Sequence, residues 1–296
     1  MKSSADKIKL TSFNDLFGIS DDNKNDDENC IIEIPINKLS EFPNHPFYVE
    51  INEKMNELVE SIKKYGVLMP IVVRKISDDK YEIISGHRRK TACEIAGKET
   101  IPALVRKYDD DEATILMVDS NIQRENIMPS EKARAYAMKY EALKHQGIKD
   151  GKPTLDLIGE SSGESVKTVQ RYIWLSKLND ELLEMVDNKK ISIVQGIHIS
   201  FLTKEEQTWV ADAIIQKSVN ISKDKSELLK EYSKKGILTE ELVRELLFEE
   251  KEKERKLLIN IKKISKFFSN NESNEEIENI IFNLLEEWAN KKKELK

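Results

Sequence analysis

The sequence predicts an α+β module followed by an all-α continuation, and three patterns support that division. Over the first hundred residues, short apolar runs closed by turn residues alternate with stripes at helical spacing. Beyond Met128 the apolar period is close to 3.6 residues almost throughout. Within that part, Thr154 to Leu175 reads as two short helices joined by a glycine turn.

Residues 1–28 are polar and end in the acidic run Asp21-Asp22-Asn23-Lys24-Asn25-Asp26-Asp27-Glu28, a composition that favours disorder. Inside them Leu10, Phe13, Leu16 and Phe17 fall at helical spacing, with Thr11 or Ser12 as a cap. A short amphipathic segment on a charged tether suits partner docking. The rivals are a frayed tail and membrane attachment, the latter weakened by the lack of a dense Lys/Arg cluster.

Ile31-Ile32-Glu33-Ile34 is a strand closed by Pro35, and Glu41 to Phe47 is a proline-punctuated loop. Met55, Leu58, Val59, Ile62 and Tyr65 give a helical stripe that Gly66 ends. Pro70 to Arg74 and Tyr81 to Ser85 are strands around an Asp78-Asp79 turn; a helix follows to Gly97, then a strand from Ile101 to Val105. Asp111 to Val118 is helical and gives way to a polar knot with Asn121, Gln123 and Arg124. Ser130 is the expected N-cap of the next helix, which runs to Gly147. After the helix pair, Leu178 to Val186 and Ile191 to His198 continue the helical region. Thr239 to Lys256 is an amphipathic helix and Lys256 to Ile261 a candidate strand. Ile277, Ile280, Ile281, Leu284, Leu285 and Trp288 stripe a terminal helix that needs a partner, whether a second copy or the rest of the domain.

The 296 residues suggest two or three domains, and 34% charged residues with 39% hydrophobic ones describe a soluble chain. No apolar run approaches the roughly 20 residues of a membrane span. Two cysteines far apart, Cys30 and Cys93, and four scattered histidines fit a reduced cytoplasmic protein and disfavour structural zinc. The net charge of -6 argues against a uniformly basic nucleic-acid binder but leaves room for a local basic face.

Two stretches carry chemistry. In Tyr81 to Lys90 a strand runs through Gly86 into a helix whose first turn holds Arg88 and Arg89. Helix N–H groups, a positive dipole end and guanidinium together suit a phosphate, although a solvated surface junction has the same local sequence. In the helix pair, Lys167, Thr168, Gln170 and Arg171 project from the face opposite Val166, Val169, Tyr172 and Ile173. Amide and guanidinium groups read base edges in the major groove; an ordinary αα-hairpin is the plain alternative. Gly147 to Thr154 imitates a P-loop, but its spacing is one residue short and Pro153 stands where Ser or Thr belongs.

The succession Gly66 to Arg74, Tyr81 to Arg89 and Ser120-Asn121-Ile122-Gln123-Arg124-Glu125, followed by the helix pair, resembles the ParB/RepB chromosome and plasmid partition family over about Ile31 to Leu202. The resemblance implies an N-terminal module with the sulfiredoxin fold that binds CTP with Mg2+. It implies nucleotide contacts from Ser85, Gly86, His87, Arg88, Arg89, Ser120, Asn121 and Arg124, with Asn121 near the nucleotide-bound metal and no firm protein ligand to it. It further implies a helix-turn-helix that reads a palindromic duplex through Lys167, Thr168, Gln170 and Arg171, a homodimer, a ParA-type ATPase partner for the Leu10–Phe17 segment, no membrane, and a cytoplasmic, nucleoid-associated location.

This chain departs from the family pattern at His87 and Ser120, where carboxylates are usual, and at Met69, usually glutamine. Binding is expected to survive, and hydrolysis to be slow or absent unless His87 substitutes as a base, so that the ceiling is a weak CTPase. The expected domains are 1–28 (tail), 29–127 (nucleotide module), 128–202 (DNA reader) and 203–296 (helical, dimerising). Nucleoid occlusion or transcriptional regulation is the alternative role, and phosphoryl transfer on the same fold a more distant one.

Overall fold

The computed structural model describes residues 31–124, 126–147, 151–217, 220–248, 267–268 and 273–294. The Leu10–Phe17 segment, Cys30 and the Lys256–Ile261 strand lie outside them. The described residues divide between two compact units, one within Met1–Glu249 and one within Glu250–Lys296.

In the first unit, β1 (Ile31–Pro35), β2 (Leu39–Ser40), β3 (Ile71–Ser77), β4 (Lys80–Ser85) and β5 (Thr100–Arg106) form one sheet in the order β1-β5-β3-β4-β2. The hairpin β3–β4 and the pair β1–β5 are antiparallel, whereas β3–β5 and β2–β4 are parallel. The crossover between β3 and β5 passes through β4 and helix α2 (His87–Ile95).

Side chains alternate across a strand, so a sheet covered on both faces must be apolar on both. Ile71, Val73, Ile83, Ile101 and Ala103 face one side and pack on Met55, Val59 and Ile62 of α1 (Glu53–Tyr65) and on Ala92 and Cys93 of α2. Val72, Ile84 and Leu104 face the other side, onto Ala113, Met117 and Val118 of α3 (Asp110–Asn121). The same core continues through Ala135 and Tyr136 of α4 (Pro129–His145) to Ile158 of α5 (Thr154–Ser162) and Val169 of α6 (Val166–Leu175). One apolar core thus runs from the sheet to the second helix of the pair.

A second core joins Leu175 to α7 (Asp180–Asp187), α8 (Ile193–Ile199), α9 (Lys204–Lys217), α10 (Lys223–Lys234) and α11 (Glu240–Phe248). In the second unit, α12 (Asn274–Glu294) leaves Leu284, Leu285 and Trp288 exposed at 54–60%.

Three sequence expectations need correction. Helix α3 continues to Asn121 rather than stopping at Val118, because the polar side chains of Ser120 and Asn121 bond back to the Met117 carbonyl instead of breaking the helix. Ser130 is not the N-cap of α4; Met128 holds that position, and Pro129 opens the helix. Ser130 instead donates from both its amide and hydroxyl to the Asp187 carboxylate. Val166 is exposed, because the buried stripe of α6 starts one turn later at Val169.

Candidate functional site

The corner at Gly86 is built by backbone shape. Gly86 has φ +111°, and a Cβ there would lie 2.5 Å from Ile71 Cγ2. Only glycine lets β4 turn straight into α2 at that point. Its carbonyl accepts the Arg89 and Lys90 amides at 2.8 and 3.0 Å, and the leading N–H groups of the helix stay outward, as at any helix start. Ser85, at the end of β4, is buried.

His87, the first residue of α2, is only 5% exposed and packs against His45 with ring centroids 3.9 Å apart and ring planes tilted by 38°. His45 comes from the loop after β2 and is anchored by a 2.8 Å hydrogen bond between Nδ1 and the Phe47 carbonyl. His45 Nε2 and both ring nitrogens of His87 are buried without a hydrogen-bond partner. Glu41 Oε2 approaches His87 Nε2 to 3.5 Å, too far for a good hydrogen bond, while Glu41 Oε1 pairs with Lys90 at 3.1 Å. Burial, followed by His45, Lys90 and Arg124, pushes His87 down to about 3, so its imidazole is neutral. Such a group is a feeble proton acceptor near neutrality, which counts against His87 as a base.

The arginines divide their labour. Arg89 is half-buried, and its Nη1 donates to the carbonyls of Met69 (2.7 Å) and Pro70 (2.5 Å). It therefore pins the start of β3, and with Leu58, Ser61, Ile62, Val67, Leu68 and Met69 it lines a cavity of about 170 Å³. Among the described residues no hydrogen bond or ion pair holds the guanidinium of Arg88 or of Arg124. Burial, with Arg88 next in weight, lowers the proton affinity of Arg124. Arg124 in turn depresses both histidines. The turn after α3 thus lies near enough to the Gly86 corner for the Arg124 charge to be felt by His87 and for the Arg88 charge to be felt by Arg124. Two cations sharing one corner raise the local positive potential, which favours an anion there.

Asn121 lies on the last turn of α3, where its amide donates to Met117 O at 2.8 Å and to Ser120 Oγ at 3.1 Å. Among the described residues no group of three His, Cys, Asp or Glu side chains is placed to hold a metal. A triphosphate fits the cationic corner; a divalent ion would be carried chiefly by the phosphates.

The second surface lies on α6. Ser165 caps it by accepting the Thr168 amide, and the two hydroxyls meet at 2.8 Å. Lys167 and Arg171 are exposed; Thr168 and Gln170 are half-buried. The preceding turn is tight, since a Cβ on Gly159 would fall 2.8 Å from the Glu164 carbonyl.

Helix α4 ties the two surfaces together. Glu131, buried at its start, accepts the Tyr48 amide at 2.6 Å and so holds the loop that carries His45. Near its middle, buried Lys139 pairs with Asp119 of α3 and donates to Ser161 Oγ of α5 at 2.7 Å. The sequence singles out the Gly86 corner and Arg124 but not His45, Glu41, Glu131 and Lys139, which the structure places around them. For His45 a signal existed: a histidine between Pro43 and Pro46, in a loop that has little reason to be rigid unless it serves a site.

Comparison with known proteins identifies the family. The ParB N-terminal domain family matches residues 20–122 and the ParB HTH domain family matches residues 125–234. A nucleoid occlusion protein of Listeria innocua is 35% identical over 202 residues, 66% of this chain and 68% of the relative. The chromosome-partitioning protein Spo0J of Thermus thermophilus is 29% identical over 191 residues, 64% of this chain and 67% of the relative. C-terminally truncated ParB of Caulobacter crescentus has been solved with the centromeric parS site (26% identity, TM-score 0.42, 68% of this chain and 98% of that one). It has also been solved with CTP-γ-S (27% identity, TM-score 0.30, 63% and 99%). The whole-chain overlays are loose, so the kinship rests on the sequence relatives.

Proposed function

The chain belongs to the ParB family, and from that premise we propose that it binds a palindromic duplex and uses CTP to close around DNA as a clamp. It is a DNA-binding protein of the chromosome-partition and nucleoid-occlusion class. Lys167, Thr168, Gln170 and Arg171 read the duplex, with the two half-sites matched by a homodimer. The exposed apolar stripe of α12 is the surface we assign to that dimer. The Leu10–Phe17 segment engages a ParA-type ATPase.

The single observation behind the nucleotide reading is the Gly86 corner, where a left-handed glycine opens a helix whose first turn carries Arg88, with Arg124 near enough to be felt there and no carboxylate bonded to either arginine among the described residues. In this reading the leading N–H groups of α2 and the two guanidiniums hold the triphosphate, Asn121 lies beside its metal, and Ser85, Gly86 and Ser120 shape the rim. Arg89 holds the corner in shape from behind. Hydrolysis is slow or absent, because His87 is a poor base and Ser120 supplies no carboxylate. Mg2+ contributes charge neutralisation when bound with the nucleotide.

The test is crosslinking of paired N-terminal modules with each nucleoside triphosphate, with and without cognate DNA. CTP with DNA should give the crosslink, and Arg88→Ala or Arg124→Ala should weaken CTP binding about tenfold or more, the scale of one charge-assisted contact. Equal behaviour of all triphosphates, or full binding by both variants, refutes it. Nucleoid occlusion without segregation is a second reading, favoured by the 35% identical relative of that name. It predicts that loss of the protein leaves replicon inheritance intact but permits division across the nucleoid.

A further inference from the structure

We propose that His45 and His87 act as one unit, a close-packed imidazole pair that contacts the triphosphate directly, and that nucleotide binding takes up about one proton through His45. The inference rests on the reading of the Gly86 corner as a triphosphate site and deepens it. Two of the four histidines in the chain, 42 residues apart in sequence, meet ring on ring at 3.9 Å. Three of their four ring nitrogens are buried with no partner. Buried polar atoms that stay unpaired cost stability, so such a cluster is explained when a ligand completes it.

The tautomer of His45 decides what it can offer. Nδ1 faces the Phe47 carbonyl at 2.8 Å and must carry the hydrogen, because a carbonyl oxygen only accepts. In the neutral ring Nε2 is then a bare acceptor. A phosphate oxygen at neutral pH is an acceptor too, so the two repel unless Nε2 gains a proton. His87 is not constrained in this way and can donate from either nitrogen as a neutral ring. Full engagement of the pair therefore adds one proton, taken from solvent by His45 Nε2 as the oxyanion arrives; no bond is broken.

The surroundings explain why the proton is missing before the ligand comes. The pair faces Lys90 of α2, Arg124 after α3, and the Glu41 carboxylate, which is already engaged with Lys90. The Arg88 charge is felt by Arg124, and Glu131 and Glu50 act on Arg124 more weakly in the opposite sense. Cations thus dominate the pocket, and a triphosphate reverses the sign of the local field.

Calorimetry of the full-length protein with MgCTP at pH 7.5, in buffers of different ionisation enthalpy, measures the proton count. The wild type should take up close to one proton per CTP. His45→Gln restores a donor amide that needs no proton; it should bind within about threefold of wild type with uptake near zero. His45→Ala should lose about tenfold or more in affinity, the scale of one hydrogen bond to a charged group. Circular dichroism of both variants establishes that the fold is kept, and His87→Gln reports separately on the second ring. Binding by the wild type without proton uptake overturns this inference alone. Unchanged affinity and uptake in both His45 variants does the same. No CTP binding by the wild type overturns the triphosphate reading, and this inference with it.

Discussion

Replacing Lys139 by Met should be one of the most damaging single changes outside the two binding surfaces. The Lys139 side chain is 4% exposed and its partner Asp119 17%. Burial works against the ammonium charge, and Asp119 holds it in place. Removing the lysine leaves a carboxylate largely out of water and strips Ser161 Oγ of a 2.7 Å donor. Breaking a buried pair from one side costs about 3–5 kcal/mol, and the lost serine bond adds up to about 1 kcal/mol. Because Asp119 keeps some access to water, the sum should fall near ~3–4 kcal/mol. The double variant Asp119→Leu/Lys139→Met removes both charges and should recover most of this, ending within about 1 kcal/mol of wild type. Urea denaturation followed by circular dichroism gives all three values in one cycle. A single Lys139→Met cost below about 1 kcal/mol would mean that water reaches the pair freely and that the reasoning is wrong.

The depressed histidine sets a pH dependence. An unfolded His87 takes a proton near pH 6.5, whereas the folded one resists until about 3, so the unfolded state binds more protons between those values and stability falls as pH drops. The slope should approach about 1.4 kcal/mol per pH unit for His87, and His87→Gln should flatten it in urea melts between pH 6 and 4. An unchanged slope in that variant contradicts the burial argument. Gly86→Ala combines a left-handed φ with a 2.5 Å approach to Ile71; a loss of about 2–4 kcal/mol in thermal melts is expected, and a neutral result would mean the corner can open. On α6, Lys167→Ala and Arg171→Ala should each reduce the salt slope of DNA binding by about 1 if they touch phosphates. Gln170→Ala should shrink the preference for cognate over scrambled duplex by about 1–3 kcal/mol, and an unaltered preference would exclude it from base reading.

Much of the fold is legible in the chain because strands and helices here obey their periods. Ile71, Val72 and Val73 are consecutive apolar residues, and a sheet covered on both faces demands just that. Gly86, Ser165 and Gly163 likewise announce the corner, the cap and the turn. What escapes sequence reading is long-range. Nothing near Asn121 reveals that its amide will bond back to Met117 and prolong the helix. Ser130 looks like a local cap, yet its partner Asp187 lies 57 residues away. Arg88 and Arg89 are neighbours of the same type, but only the three-dimensional path of β3 gives one of them two carbonyls to bond. His45 and Lys139 matter through what they meet, and local patterns carry no information on that.

The unbroken hydrophobic interior from Val72, Ile84 and Leu104 to Val169 has a practical consequence for engineering. A chimera that grafts another relative's DNA-reading helices onto this nucleotide module at residue 127 would cut through shared packing and expose both halves. The transferable block instead begins at Asp110 and runs to the end of α11 at Phe248, so that the wedge of α3 and α4 and the second core travel with the reader. A graft made there should retain a folded sheet only if the donor wedge presents side chains of matching volume to those three strand residues.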